Sequence, residues 1–115
     1  MKLLEKQFQN EVIKYLQNNK IWYKRTQMGF ESGTPDIICI YKGLFVGLEL
    51  KRPDGKGKAT KQQEKVKKDI EDSKGIVLIV NNLSDIISLF KTIDWFLYDI
   101  EDQRSAMRRC VGNNY

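Results

Sequence analysis

The apolar positions along the chain change period several times, and each change marks an element. Over residues 3–19, Leu4, Phe8, Val12, Tyr15 and Leu16 recur at helical spacing and form one stripe, which predicts an amphipathic helix stopping near Asn18-Asn19. IWYKRTQ, residues 21–27, has strand composition, and Gly29 to Gly33 reads as a loop. DIICIY and LFVGLEL flank Lys42-Gly43, so residues 36–50 are expected to form a β-hairpin. Pro35 stands at the start of a strand, where its missing N–H does least harm. RPDGKGK, residues 52–58, is a basic, glycine-rich loop. Thr60 and Gln63 then have the form of a capping box, which predicts a helix to about Ser73, ended by Gly75. IVLIV, residues 76–80, is a nearly pure apolar run typical of a strand covered on both faces. Asn81-Asn82 turns the chain into a short helix over 83–91. TIDWFLYDI, residues 92–100, fits either a strand or an extension of that helix. The polar tail from Glu101, with Arg104, Arg108 and Arg109, is expected to be partly disordered.

The order α-β-β-β-α-β-α describes an α/β fold, a mixed β-sheet flanked by helices. A crossover through residues 60–74 places the strand at 76–80 parallel to the strand at 44–51. At 115 residues there is room for one core. Residues 1–91 carry the predicted core elements, and 92–115 form a C-terminal extension.

Composition narrows the chemistry. There is no histidine, which removes His-based metal clusters, Ser-His-Asp and Cys-His catalysis, and any nuclease that needs a histidine base. What remains is carboxylate, lysine and metal-ion chemistry. The net charge of +5 points toward a polyanionic partner. Cys39 and Cys110 make neither a disulfide framework nor a zinc site, and Cys39 sits in an apolar run as a small hydrophobe. No apolar run approaches the ~20 residues that span a bilayer, and MKLLEKQFQ lacks a signal peptide's apolar stretch. No membrane partner is expected, and the expected location is the cytoplasm, of a bacterial cell or a phage-infected host.

Charge then interrupts the two most core-like segments. Alternation on the strand at 44–51 points Phe45, Gly47, Glu49 and Lys51 to one face. A hairpin around Lys42-Gly43 sets Asp36 across from the Glu49 region. Two carboxylates and an ammonium then converge. Two carboxylates make a hard oxygen site for Mg²⁺, which can bridge to a phosphate. A lysine on the same face orients water or stabilises developing charge. Simpler accounts also exist. Asp36 can cap a turn after Pro35, and Glu49 with Lys51 can be a solvated edge pair, although Glu49 lies between leucines.

Gly33-Thr34-Pro35-Asp36, then Glu49-Leu50-Lys51, then Thr60-x-x-Gln63 opening a helix, with Glu5 and Gln9 in the first helix and Gly75 before an apolar strand, resemble the PD-(D/E)XK nuclease core. The wider pattern is similar to its VRR-NUC branch, the virus-type replication-repair nuclease domain, in its standalone phage or bacterial form. The resemblance spans residues 3–90. It implies a restriction-endonuclease-like core. Asp36 and Glu49 would ligate Mg²⁺, for which Mn²⁺ substitutes, with the Leu50 carbonyl as a further ligand. Lys51 would act on the attacking water, Glu5 would complete the site, and Gln63 would flank the cleft. Glu11 borders the opposite edge of the helix-one stripe and competes with Glu5 for that role. Capping alone accounts for Gln63, and Gln62 is one register away.

Lys51, Arg52, Lys56, Lys58 and Lys61 form the densest cationic cluster, with Lys24 and Arg25 nearby. Beside a metal site they are candidate DNA contacts; away from one they are a solvated loop. Trp22, Tyr23, Trp95, Phe96 and Tyr98 are assigned to core or interface rather than to base stacking. The expected function is Mg²⁺-dependent endonuclease action on branched DNA such as a Holliday junction, by a homodimer without a small-molecule cofactor. TIDWFLYDI is the candidate interface, with burial in the monomer core as its alternative. The rivals are a flap, single-strand or duplex nuclease of the same fold, and a non-catalytic DNA-binding module.

Overall fold

A computed structural model of the chain describes residues 2–27, 29–54, 58–97 and 100–110. Helix α1 (Lys2–Asn18) precedes strands β1 (Trp22–Arg25), β2 (Ile37–Tyr41) and β3 (Leu44–Leu50). Helix α2 (Lys61–Asp72), strand β4 (Ile76–Val80) and helices α3 (Leu83–Phe96) and α4 (Ile100–Cys110) follow. The four strands form one sheet in the order β1-β2-β3-β4, the first three antiparallel and β4 parallel to β3. The predicted α/β order and mixed sheet are therefore present, with α4 in addition.

Local chemistry accounts for the hairpin. Lys42 and Gly43 both have positive φ, 49° and 85°, and a two-residue turn of that kind matches the twist of the strands it joins. It sets Ile37 opposite Leu48 and Tyr41 opposite Leu44. One face of the sheet is the core. Ile37, Cys39, Val46 and Leu48 pack there against Phe8, Val12, Ile13 and Leu16 of α1 and Ile86, Phe90 and Ile93 of α3. Burial among these groups pushes the Cys39 thiol up to about 12, so it stays protonated and inert. Tyr41 stacks on Phe90 with ring centroids 4.3 Å apart, and its hydroxyl donates to Asp94 Oδ1 at 2.6 Å. The Lys42 ammonium reaches the same oxygen at 3.0 Å, so the hairpin turn is tied to α3.

Two segments differ from expectation, and β4 differs in one residue. Helix α3 runs to Phe96 because Ile86, Phe90 and Ile93 continue one buried stripe past residue 91, which settles TIDWFLYDI as helix up to that point. Trp95 and Phe96 fall outside the stripe and are exposed, as is Trp22, so none of the three is in the core. Tyr98 and the side chain of Leu4 lie outside the described residues. Residues 100–110 are helical rather than irregular, with Arg108 and Arg109 in the last turn, where cations complement the helix dipole. Finally, β4 is an edge strand. Val77 is buried on the α2 face and Val80 on the core face, so the run is covered on both faces at those positions, while Ile79 is 39 % exposed.

Candidate active site

The second face of the sheet carries the charged residues, and α2 leans across its β4 side. Gly47 sits under the loop before β2. A Cβ at that position would meet Pro35 Cγ at 2.7 Å, so only glycine allows the loop before β2 to lie on the sheet. Thr26 secures the loop, its hydroxyl donating to the Pro35 carbonyl and its backbone N–H donating to the Asp36 carbonyl at 3.1 Å. Asp36 is thereby held at the head of β2, where its Oδ2 accepts from the Leu50 N–H at 2.8 Å.

Glu49 is 3 % exposed yet ionisable. Its carboxyl is pushed up to about 8 by burial first, then by a hydrogen bond to Asp36 and by the charge of Asp36, with Lys51 opposing. The pair therefore holds a proton near neutrality. Gln63 Nε2 donates to Glu49 Oε1 at 3.0 Å, and Gln63 Oε1 accepts from Lys51 Nζ at 3.0 Å. Lys51 Nζ also donates to the Lys58 carbonyl at 3.2 Å. The same Gln63 completes the capping box of α2. Its Oε1 accepts from the Thr60 N–H at 2.9 Å, and its own N–H donates to Thr60 Oγ1 at 3.1 Å. Gln63 is thus the cap of α2 and, through the same amide, a partner of Glu49 and Lys51, while Gln62 packs against Gly33. Thr60→Ala removes one arm of the box and is expected to lower stability by about 1 kcal/mol. A thermal or urea melt checks this, and an unchanged midpoint would refute the cap's contribution.

A polar cleft of about 410 Å³ opens beside Asp36, lined by Glu5, Lys6, Gln9, Asn10, Arg25, Gln27 and Leu50. Glu5 faces this cleft, whereas Glu11 lines a separate depression with Gln7, Pro53 and Asn82. Of the two helix-one acids, Glu5 is therefore the one that shares a cleft with Asp36. Among the described residues, however, no three acids or thiols gather closely enough to hold an ion, so Glu5 stands apart from the Asp36–Glu49 pair. Lys6, Asn10 and Gln27 were not singled out from the sequence. The signal was present in α1, since Lys6 and Asn10 repeat at the same i, i+4 spacing as Glu5 and Gln9. Gln27 became legible only through its side-chain contact with Gln9, at 3.5 Å.

The cationic candidates divide. Arg25 lines the cleft, while alternation along β1 sends Lys24 to the opposite sheet face. Arg52 is ion-paired with Asp54 at 2.6 Å. Lys58 and Lys61 are exposed beside the start of α2, and Lys56 lies outside the described residues. No described helix is long and apolar enough to cross a membrane. Comparison of the chain with family models, curated proteins and solved structures returned no match.

Proposed function

We propose that the chain is a Mg²⁺-dependent DNA endonuclease of the VRR-NUC type, hydrolysing phosphodiester bonds with branched DNA as its preferred substrate. The observation that carries this reading is the single hydrogen-bonded unit Asp36–Glu49–Gln63–Lys51 on one face of the sheet. The donor set suits a hard divalent cation. It offers two carboxylates, with the Leu50 carbonyl between Glu49 and Lys51, and the proton retained by the acid pair is one that a cation would replace. Asp36, Glu49 and Leu50 would hold Mg²⁺ or Mn²⁺, which supplies charge compensation at the phosphate and a lowered pKa for water.

The protein's own part is positioning. Lys51, fixed by Gln63 and the Lys58 carbonyl, orients the attacking water and stabilises negative charge developing on the phosphate. Attack on phosphorus breaks the bond to the 3′ oxygen, leaving 3′-hydroxyl and 5′-phosphate ends. Lys58 and Lys61 contact flanking phosphates, and Lys6 and Arg25 receive the strand in the neighbouring cleft. Paired cuts across a junction call for two sites related by a two-fold axis, hence a homodimer, with exposed Trp95 and Phe96 as its contact surface.

The test is a panel of four-way junction, flap, linear duplex and single strand, each incubated with Mg²⁺ or with EDTA. Junction cleavage in Mg²⁺ and none in EDTA is expected. Equal cutting of linear duplex would remove the branched-DNA preference. Binding without cleavage in Mg²⁺ would leave only a DNA-binding module.

A further inference from the structure

Trp22, Ile40 and Phe45 form a row across the sheet. Trp22 is the register partner of Ile40, and Ile40 is the partner of Phe45. All three point away from the core, 51 %, 46 % and 37 % exposed. The face they occupy is also the face of Glu49, four residues further along β3, or about 13 Å at strand rise. Between them, Lys24 is exposed in the next rung of that face, opposite Ile38.

We infer that this row is a stacking platform for unpaired bases, and that the substrate reaches the Asp36–Glu49 site as a locally single strand. The inference rests on the nucleic-acid reading of the same face and names the form of strand it takes. Two aromatic rings two strands apart, about 10 Å, are too far apart to clamp one base and instead offer separate surfaces for two. The row is followed in the next rung by half-buried Ile38 beside the exposed Lys24 ammonium. A stable protein interface needs a much broader apolar core, of several hundred Å² on each partner. Rings beside a cation match the base planes and phosphates of a nucleic-acid strand. Bases inside a duplex already stack on one another, so the platform selects a splayed stretch, as at a branch point or flap.

Binding of a short fluorescein-labelled oligothymidylate is measured by anisotropy in EDTA, where no cleavage occurs. Trp22→Ala and Phe45→Ala are each expected to weaken binding by about tenfold, the worth of one stacked base, with the salt dependence unchanged. Trp22→Phe keeps a ring and should restore most of the affinity, while Lys24→Ala should lower the salt slope by about one without removing the platform. Trp22→Ala binding within about twofold of wild type would overturn the inference, since a stacked base contributes more than that. So would a wild-type dimer that Trp22→Ala converts to monomer in sedimentation, because the row would then be a contact between copies. Cleavage is read separately. A wild type that cuts while Trp22→Ala binds normally loses the platform and keeps the nuclease. A wild type that binds through Trp22 and never cuts keeps the platform and loses the nuclease.

Discussion

Asp36→Asn is expected to lower metal-dependent cleavage by about a thousandfold or more, and Lys51→Ala to do the same, while both variants stay folded. The two losses have different causes. An asparagine oxygen can still accept from the Leu50 N–H, so the loop before β2 keeps its place. What disappears is the negative charge that would hold a divalent cation. Stability should hold or fall a little, because a neutral amide oxygen accepts the Glu49 proton less strongly than the Asp36 carboxylate does. Lys51→Ala leaves both carboxylates but removes the cation that Gln63 and Lys58 aim at the site. The measurement is initial cleavage rate in Mg²⁺ alongside a melting curve for each variant. Cleavage within about tenfold of wild type in both variants would show that the chemistry lies elsewhere, since a removed catalytic group costs more.

The second large effect is on stability against pH. In metal-free protein, stability should decline as pH rises from about 4.5 to about 8, and Glu49→Gln should abolish that part of the decline. In the folded chain Glu49 keeps its proton up to about 8, whereas in the unfolded chain it gives it up near 4.5. Between those values the folded state binds more protons, so raising the pH favours unfolding. Below the window both states are protonated and the contribution is fully present; above it both are ionised and it is lost. At about 1.4 kcal/mol per pKa unit the span amounts to several kcal/mol, or on the order of 20 °C in Tm for a domain of this size. The difference between wild-type and Glu49→Gln melting curves in EDTA isolates this group from others that titrate. Parallel curves would mean that Glu49 is not held as an acid. Added Mg²⁺ should raise the wild-type Tm at pH 8 and leave the glutamine variant nearly unmoved, because only the carboxylate exchanges its proton for a cation.

Much of this site could be read before folding was considered, because its parts are governed by short-range rules. The turn at Lys42-Gly43 sets the register that brings Asp36 to Glu49, and alternation puts Glu49 and Lys51 on one face. Thr60 and Gln63 announce the start of α2. What escaped notice depends on neighbours remote in sequence. Trp22 has the composition of a core residue, yet it stands 51 % exposed on the sheet face away from the core. IVLIV reads as a strand covered on both faces, but nothing in the run says that it is fourth in a sheet of four. Arg25 and Lys24 are adjacent in sequence and face opposite sides, which separates their roles. The cleft beside Asp36 is built from α1 and the end of β1, so Lys6, Asn10 and Gln27 gain meaning only once those two elements meet.

Gln63 couples two events that are usually independent. The amide that closes the first turn of α2 is also the one that holds Glu49 and Lys51. Fraying of that turn, one of the smaller openings a native protein undergoes, therefore releases the lysine and uncovers the buried acid at the same moment. Amide hydrogen exchange at the head of α2 and exposure of the Glu49 carboxyl become readings of one equilibrium. Heat that is too mild to melt the core would then take this cluster apart reversibly.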